Sequence, residues 1–266
     1  FWKNENNTQF LGHRRLTILE LSKKGSQPML SKNSRYIISY NGEIYNHKNI
    51  RKKLNDEFNC IWETNSDTET VLTSIEKYGI KKSLETFHGM FAFAIIDKIE
   101  KKLYLARDLN GEKPLYYGFI NDNFIFSSGL RSISYFPGFK KRINKHALKY
   151  YLDFSYVPEP FSIFEKIKKI EKNSYLEFDL KKKQIIKIRK YNVEIQDQIF
   201  NLNYQSDYLS NLNNVLSNSV EISMTSDVEV GSFLSGGTDS SLITAIMQSI
   251  SNRNIKTFSV AVEDRK

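Results

Sequence analysis

The sequence predicts two domains of different class. Residues 1–190 are predicted to form a layered α+β domain, because many short strand-like runs alternate with a few helical ones. Residues 206–266 are predicted to begin a doubly wound α/β domain, because a strand, a glycine loop, a helix and a further strand follow one another. That order implies a parallel sheet with a right-handed crossover. Residues 191–205 carry few apolar side chains, and we interpret them as the linker.

The elements of the first domain follow from local patterns. Residues 36–40 are apolar and β-branched, which predicts a strand, and Asn41-Gly42 is expected to turn the chain after it. Residues 47–54 and 68–78 have helical spacing, and Gly79 is a stop signal for the second helix. Two hairpins are predicted, one from residues 90–96 and 103–106 and one from residues 115–119 and 124–127.

The second domain is predicted from a shorter stretch of chain. Leu209, Leu212, Leu216 and Val220 follow a helical spacing. Residues 228–234 are predicted to form a strand, the glycine loop and a helix come next, and residues 257–262 are predicted to form the second strand.

The net charge of +9 raises the question of a nucleic-acid partner. Much of the charge is lysine in residues 166–172 and 181–190. The second group surrounds the runs 176–178 and 185–188, which look like an exposed hairpin, and lysine on an edge strand blocks unwanted pairing. No aromatic-interleaved basic stripe accompanies the charge, so we predict a solvated face and no nucleic-acid partner.

The composition places the chain in the soluble globular class. Hydrophobic residues make up 40% and charged residues 26% of it. No run is long and apolar enough to span a membrane, so no membrane partner is expected. The single cysteine, Cys60, cannot form an internal disulfide, which favours a reducing cytoplasm.

The stretch 233–241, Phe-Leu-Ser-Gly-Gly-Thr-Asp-Ser-Ser, is typical of an anion site between a strand and a helix. Gly236 and Gly237 let the backbone approach a ligand, and the N–H groups of the following helix point at it. No lysine follows the glycines, so the loop is not a Walker P-loop. It resembles the Ser-Gly-Gly-x-Asp-Ser loop of ATP pyrophosphatases. The alternative is an ordinary strand–turn–helix corner capped by Asp239 or Ser240.

Three polar segments of the first domain carry groups that a small amino-acid ligand needs; they are residues 12–18, 40–46 and 64–69. Each alone has a structural explanation: Arg15 as a surface ion pair, Asn41-Gly42 as a turn, Asp67 as a helix cap. Together with the loop at Ser235 they resemble the glutamine-hydrolysing asparagine synthetases. The segments 89–95, 107–116 and 156–160 also look like that family, so the resemblance covers essentially the whole chain.

The resemblance implies an N-terminal glutaminase domain of the Ntn-hydrolase type, an αββα sandwich that is incomplete here. The start of an ATP-pyrophosphatase domain would follow it. Glutamine would be hydrolysed in the first domain, and ammonia would pass through an internal tunnel. In the second domain ATP and aspartate would give β-aspartyl-AMP and pyrophosphate, and ammonia would displace AMP to give asparagine. The implied cofactors are ATP and Mg²⁺, and a homodimer is left open for the full-length enzyme.

The resemblance also implies a glutamine site. Arg15 would hold the α-carboxylate with two parallel hydrogen bonds, and Asp67 would hold the α-ammonium, aided by the backbone near Glu43. The Asn41 amide and the Gly42 N–H would form the oxyanion hole, where one donor is typically worth ~3–4 kcal/mol. The residues implied in glutamine binding are Arg15, Leu16, Asn41, Gly42, Glu43 and Asp67.

The ATP site implied by the resemblance lies in the second domain. Leu234 and Val260, on neighbouring strands, would flank the adenosine. Asp239 would help to place Mg²⁺, because a hard cation takes carboxylate oxygen. The residues implied in holding the pyrophosphate are Ser235, Gly236, Gly237 and Ser240. By contrast, Arg107, Asp108, Gly111 and Pro114 are interpreted as a structural turn.

The chain departs from the family in one decisive place. The family's nucleophile is a cysteine at the mature N-terminus, whereas residue 1 here is Phe, so the chain is expected to open inside the glutaminase domain. It is also expected to end before the residues that bind aspartate. Cys60 is interpreted as an inert structural cysteine. A related amidotransferase with another carboxylate acceptor, as in polysaccharide biosynthesis, and an inactive remnant both stay open as alternatives.

We therefore expect the 266-residue chain by itself to have neither glutaminase nor synthetase activity, because it carries no N-terminal cysteine. Ammonia release from glutamine is the measurement. Release above the rate without protein would contradict this prediction.

Overall fold

The computed structural model describes residues 1–16, 18–192 and 208–261. The chain divides into two compact units, the first with residues 1–16 and 22–194 and the second with residues 17–21 and 195–266. Each unit is described by itself below. Residues 193–205 of the predicted linker 191–205, and residue 262 of the last predicted strand, lie outside the described residues.

The described part of the first unit contains eleven strands in three antiparallel sheets. The large sheet has the order β11-β10-β6-β5-β4-β3, a second sheet has the order β8-β7-β9, and β1 pairs with β2. The strands are β1 Trp2–Lys3, β2 Phe10–Leu11, β3 Met29–Leu30, β4 Tyr36–Ile44, β5 Gly89–Asp97, β6 Lys102–Arg107, β7 Tyr116–Ile120, β8 Asn123–Ser127, β9 Ile167–Lys169, β10 Ser174–Asp179 and β11 Gln184–Lys190.

Five α-helices and a 3₁₀ turn accompany these strands. The 3₁₀ turn is Lys23–Gly25, and the α-helices are α1 His47–Phe58, α2 Asp67–Tyr78, α3 Ile80–Thr86, α4 Leu130–Ser134 and α5 Lys145–Phe154. The predicted helices over 47–54 and 68–78 correspond to α1 and α2, and both predicted hairpins are present as β5–β6 and β7–β8.

Side-chain alternation gives the large sheet two apolar faces. On one face Ile38, Phe91 and Phe93 pack with residues of α1, α2 and α3, and that group includes Leu54, Val71, Leu72, Ile75 and Leu84. On the other face Ala94, Leu105 and Leu176 pack with Tyr117 and Phe126 of the second sheet and with Leu115 just before it. Each fully buried aliphatic or aromatic side chain contributes roughly 1.5–3 kcal/mol, so both faces are strongly stabilising.

The second sheet also has two apolar faces. Its inner face reaches the large sheet through Phe124, whose ring stacks on Phe178 at a centroid distance of 4.1 Å. Its outer face carries Ile120 and Ile167, which pack with Ile133 of α4. The layers of the first unit are therefore helices, large sheet, small sheet, helix. The layered α+β class predicted from the sequence is confirmed.

Asn41-Gly42 does not turn the chain, and this local prediction was wrong. Strand β4 continues through both residues, and the pairing with β5 holds to the last pair, Ile44 with Gly89. Gly42 has φ 151°, and a Cβ there would collide with the carbonyl oxygen of Met90. The glycine thus allows a close approach of two strands, which is its other use in sheets.

The predicted exposed hairpin of residues 176–178 and 185–188 was half wrong. Strand β10 lies between β6 and β11, and Leu176 and Phe178 are buried. Of the two strands of this hairpin, only β11 is an edge strand. Lys102 and Lys187, on the two neighbours of β10, reach the buried Glu177 carboxylate at 2.8 and 2.7 Å. Two lysines thus pair with one buried carboxylate. The many lysines of this segment suggested an exposed hairpin, whereas β10 is an internal strand of the sheet.

The second unit contains a short β-α-β arrangement. It comprises helix α6 Tyr208–Ser223, strand β12 Gly231–Phe233, helix α7 Thr238–Ile250 and strand β13 Lys256–Phe258. The two strands are parallel, with Ser232 opposite Thr257, as the predicted order requires. Both strands are shorter than predicted. Val220, Ile246 and Met247 form the buried centre of this unit. Among the described residues, no helix combines the length and the apolarity that crossing a lipid bilayer demands.

Asp108 organises the turn that follows β6, the segment predicted to be structural. Its carboxylate is fully buried and accepts hydrogen bonds from the backbone N–H groups of Phe91, Asn110, Glu112 and Lys113 at 3.2, 3.1, 2.9 and 3.0 Å. One carboxylate therefore satisfies four backbone donors, one from β5 and three from the turn.

Replacing Asp108 with Ala would leave these four N–H groups without their acceptor. We expect the Asp108→Ala variant to lose about 2–4 kcal/mol of unfolding free energy in a denaturant titration. Asp122→Ala, in the exposed turn between β7 and β8, is the matched control and should change stability by less than about 0.5 kcal/mol. Equal losses in the two variants would contradict this account of the turn.

Candidate active site

Asp67 lies where the end of β4 meets the start of α2. It is 5% exposed, and its Oδ2 accepts hydrogen bonds from the Tyr40 hydroxyl at 2.7 Å and from the Ile44 N–H at 3.0 Å. The helix cap is Ser66, whose hydroxyl accepts from the Thr68 N–H. Asp67 is therefore not the N-cap, and the capping explanation of this residue was wrong.

The electrostatics around Asp67 combine burial with one nearby cation. Burial raises the pKa of the Asp67 carboxyl above its ordinary value. The hydrogen bonds from Ile44, from Tyr40 and from the Thr68 backbone oppose this rise, and so does the positive charge of Arg15. The opposite charges of Arg15 and Asp67 thus interact within the first unit.

Arg15 is half-buried and lies against Gly25. A Cβ at position 25 would come within 2.6 Å of both terminal nitrogens of the Arg15 guanidinium. The segment before Arg15 is joined to β4, because the Ser39 hydroxyl donates to the Gly12 carbonyl at 3.2 Å. Leu16 is 84% exposed, so the structure places its side chain in solvent beside Arg15.

Gln27 is a site residue that sequence reasoning missed. Its Oε1 accepts from the Tyr40 N–H at 2.6 Å, and its Nε2 donates to the Thr68 hydroxyl at 3.4 Å. Gln27 thereby joins β4 to the first turn of α2. The signal available in the sequence was a polar residue directly before Pro28, which by itself indicates only an extended segment.

The predicted oxyanion pair lies near the end of β4. Asn41 pairs with Ala92 and Gly42 with Phe91, and the side chain of Asn41 is exposed. The Gly42 position admits no side chain, because a Cβ would meet the Met90 carbonyl oxygen and come within 2.6 Å of the Phe91 Cα. The structure brings Asn41, Gly42, Asp67 and Arg15 to one region of the first unit.

Glu43 is a further buried carboxyl of this region. It is 8% exposed, and its Oε1 has no hydrogen-bond partner among the described residues. Burial and the neighbouring charge of Asp67 raise the pKa of Glu43 from 4.5 to about 7, and Lys113 opposes the rise. Besides Asp67, the site therefore holds the Glu43 carboxyl, which changes its charge near neutral pH.

The glycine loop of the second unit runs from β12 to α7 and is exposed. The Ser235 and Ser240 hydroxyls lie 2.9 Å apart, and the Ser240 hydroxyl also accepts from the Ser235 N–H at 3.3 Å. Gly237 is the N-cap of α7, and no side chain caps the helix. Neither Asp239 nor Ser240 caps the helix, so the alternative explanation of a capped corner was wrong. An uncapped helix N-terminus with a hydroxyl pair beside it is suited to an anion.

Gly236 leaves room above the loop. It has φ 84°, and no heavy atom lies within 4 Å of the position that a Cβ would take. Asp239 lies in the exposed first turn of α7. In the described segments, no group of three or more His, Cys, Asp or Glu residues could hold a metal ion.

Leu234 and Val260 follow the ends of the two parallel strands. The Leu234 N–H donates to the Phe258 carbonyl at 2.9 Å, and the Ser259 hydroxyl donates to the Leu234 carbonyl at 2.6 Å. Val260 is 86% exposed. Both residues thus lie at the carboxyl ends of parallel strands, the edge at which open α/β sheets bind ligands.

Comparison with protein families divides the chain in the same order. Residues 1–192 match the family model described as a glutamine amidotransferase domain, and residues 211–266 match the one described as asparagine synthase. These matches define the class of protein as an amidotransferase domain followed by a synthetase segment. The layering of the first unit is the αββα sandwich that the resemblance implied for the amidotransferase domain.

Two relatives extend the match to nearly the whole chain. Putative asparagine synthetase [glutamine-hydrolyzing] 2 of Methanocaldococcus jannaschii is 36% identical over 96% of this chain and 51% of its own length. Asparagine synthetase [glutamine-hydrolyzing] 1 of Bacillus subtilis is 35% identical over 96% of this chain and 39% of its own length. The chain belongs to the glutamine amidotransferase domain family, and glutamine-hydrolysing asparagine synthetases are similar to it over nearly its whole length. It spans about half the length of the first relative and less of the second.

A solved structure is also similar. It is the glutamine phosphoribosylpyrophosphate amidotransferase from B. subtilis complexed with ADP and GMP, which matches 92% of this chain and 50% of its own, with 17% sequence identity and a TM-score of 0.45.

The pKa of Glu43 predicts a pH dependence of stability. Because its folded-state value is raised, the neutral form stabilises the fold below about pH 4.5, and this contribution is lost as the pH rises through about 7. The wild type should lose up to about 3 kcal/mol of unfolding free energy between these pH values through this group, and we expect Glu43→Gln not to show this loss. Denaturant titrations across the range measure the difference between variant and wild type.

The control for this prediction is Glu5→Gln, which changes an exposed carboxyl of the same unit. Its pH profile should follow that of the wild type. If the Glu43→Gln profile also followed the wild type, Glu43 would not be the group that titrates.

Proposed function

We propose that this chain forms the amidotransferase part, and the first portion of the synthetase part, of an enzyme that makes asparagine. The overall reaction would convert ATP, aspartate and glutamine to asparagine, AMP, pyrophosphate and glutamate. The observation that carries the proposal is the buried Asp67 carboxylate, which interacts with Arg15 beside Asn41-Gly42 in an amidotransferase domain. Each of these groups suits a different part of glutamine.

The two charged groups of the glutamine backbone would each bind a side chain of opposite charge. Arg15 would bind the α-carboxylate through its planar guanidinium, and Asp67 would bind the α-ammonium. The side chain of glutamine would then extend along the end of β4. The exposed Asn41 amide and the Gly42 N–H would donate to the oxygen of the tetrahedral intermediate, and the backbone near Glu43 would contact the ammonium.

The second unit fits an ATP phosphate group. The open space above Gly236 and the uncapped start of α7 suit an anion, and Ser235, Gly237 and Ser240 surround it. Asp239 is the carboxylate that would help to place Mg²⁺, the remaining ligands coming from phosphate oxygens and water. The metal would supply charge neutralisation for the departing pyrophosphate. Leu234 and Val260 would flank the adenosine.

Two other outcomes remain as alternatives. A related enzyme would use a different carboxylate acceptor, as in polysaccharide biosynthesis, and a remnant would have no activity. The names of the two relatives favour aspartate as the acceptor. The cytoplasmic location, the absence of a nucleic-acid partner, the homodimer, the boundaries 1–190, 191–205 and 206–266, and the inert role of Cys60 stay predictions.

The proposal is tested on the full-length protein that contains this chain. With aspartate, glutamine and ATP we expect asparagine, glutamate and AMP in equal amounts, measured by chromatography. Glutamine hydrolysis without aspartate consumption would point to another acceptor. Absence of glutamine hydrolysis would contradict the proposal and indicate the remnant.

Matched variants test the assignment of Arg15. Arg15→Lys keeps the charge and loses the two parallel hydrogen bonds, so KM for glutamine should rise roughly 10- to 100-fold with little change in kcat. Arg14→Lys, at the exposed neighbouring position, should leave KM unchanged. Similar effects of the two substitutions would contradict the assignment.

A further inference from the structure

We propose that Tyr40 is the positioning residue for the α-ammonium of glutamine. Its hydroxyl fixes the Asp67 carboxylate through Oδ2 and so leaves Oδ1 for the ligand. The inference rests on the proposed function of the site and deepens it, because it assigns a specific role to a buried tyrosine outside the motif residues.

The geometry assigns different roles to the two carboxylate oxygens. Oδ2 of Asp67 accepts from the Tyr40 hydroxyl at 2.7 Å and from the Ile44 N–H at 3.0 Å. A carboxylate oxygen has two lone pairs, so Oδ2 is filled by these donors and the remaining capacity lies mainly on Oδ1. The two donors of β4 thus occupy Oδ2, and Oδ1 keeps capacity for a ligand.

Both donors belong to the strand that carries the oxyanion pair. Tyr40 and Ile44 are four residues apart on β4, on either side of Asn41-Gly42. Strand β4 therefore fixes the position of the Asp67 carboxylate relative to the proposed oxyanion hole. A substrate whose ammonium binds Asp67 would have its amide placed relative to Gly42 by the same strand, which is the kind of positioning that amide hydrolysis needs.

The Tyr40 hydroxyl is suited to a constant donor role. Tyr40 is 3% exposed, and its burial and the charge of Asp67 raise the pKa of the phenol well above its ordinary value, so it stays protonated. Its hydrogen bond also favours the ionised form of Asp67, which burial disfavours. The positive charge of Arg15 also favours the ionised form of Asp67. The charge of Asp67 in turn raises the pKa of the neighbouring Glu43 carboxyl.

The backbone of Tyr40 is fixed as well. Strand β3 pairs with β4 only at Ile37 and Ile38, so the outer edge of β4 at Tyr40 lies beyond that strand. Gln27 accepts from the Tyr40 N–H at 2.6 Å and reaches the Thr68 hydroxyl at 3.4 Å. Tyr40 is therefore joined to the first turn of α2 twice, to Asp67 through its hydroxyl and to Thr68 through Gln27.

The test is Tyr40→Phe in the full-length enzyme. Loss of the donor should raise KM for glutamine roughly 10-fold while kcat changes less than about 3-fold, because a charge-assisted hydrogen bond is worth about 1.5 kcal/mol. Synthesis with ammonium chloride in place of glutamine should be unchanged, since added ammonia bypasses this site. An unchanged KM for glutamine in the variant would overturn the proposal.

Tyr191→Phe is the matched control for a lost buried hydroxyl. Tyr191 is 1% exposed, belongs to the same apolar core as Tyr40, and donates its hydroxyl to the Arg107 carbonyl at 3.1 Å. It makes the same kind of bond without contacting Asp67. The KM of the Tyr191→Phe enzyme for glutamine should equal that of the wild type. A rise in KM equal to that of Tyr40→Phe would indicate a general structural effect of losing a buried hydroxyl and would overturn the proposal.

A double-mutant cycle with Asp67→Asn decides whether Tyr40 acts through Asp67. Tyr40→Phe should add less than about 2-fold to the KM of the Asp67→Asn enzyme. An undiminished 10-fold addition in that background would overturn the proposal. If Tyr40→Phe does not fold, Gln27→Met is the second variant, and there a KM rise of about 3-fold supports the proposal and an unchanged KM overturns it.

These results separate this inference from the proposed function. A wild-type enzyme that hydrolyses no glutamine would remove both. A wild-type enzyme that hydrolyses glutamine, with a Tyr40→Phe variant of unchanged KM, would remove only the role of Tyr40.

Discussion

The close pairing of β4 with β5 is the constraint on which the first unit depends. The two strands stay paired along the full length of β4, through Asn41-Gly42 to Ile44. This is achieved only because Gly42 has no side chain at the point where the backbone of Met90 and Phe91 approaches it. One face of the paired strands then packs against α1 and α2 in the apolar core, and the end of β4 is kept in the sheet beside the polar groups of the site.

Polar groups are held at this edge of the core at an energetic cost. Asp67 is buried with two hydrogen bonds to one oxygen, and Glu43 is buried with Oε1 unpartnered among the described residues. Burying carboxyls in this way disfavours their charged forms, as the raised pKa values of both groups indicate. Such groups are tolerated where a ligand completes them, and an ammonium group would offset the cost at Asp67.

The sequence predicted the elements that local pattern determines. Helix α2 and its stop at Gly79, the β5–β6 hairpin and the glycine loop before α7 all follow from short-range signals. It misjudged Asn41-Gly42, because a glycine at a close strand contact looks like a glycine in a turn until the partner strand is known. Strand β10 was misjudged for a similar reason, since the lysines around it pair with Glu177 across strands. The parts played by Gln27 and Tyr40 depend on contacts between distant segments, and no local pattern contains them.

The two glycines that matter most differ in what excludes a side chain. At Gly42 both the backbone angle and the neighbouring strand forbid one, whereas at Gly236 the space is open and only the left-handed conformation opposes it. Asparagine and aspartate tolerate that conformation. Mutation therefore has accessible substitutes at Gly236 in the glycine loop and none at Gly42 in the strand, so the loop position is the more readily altered of the two during divergence.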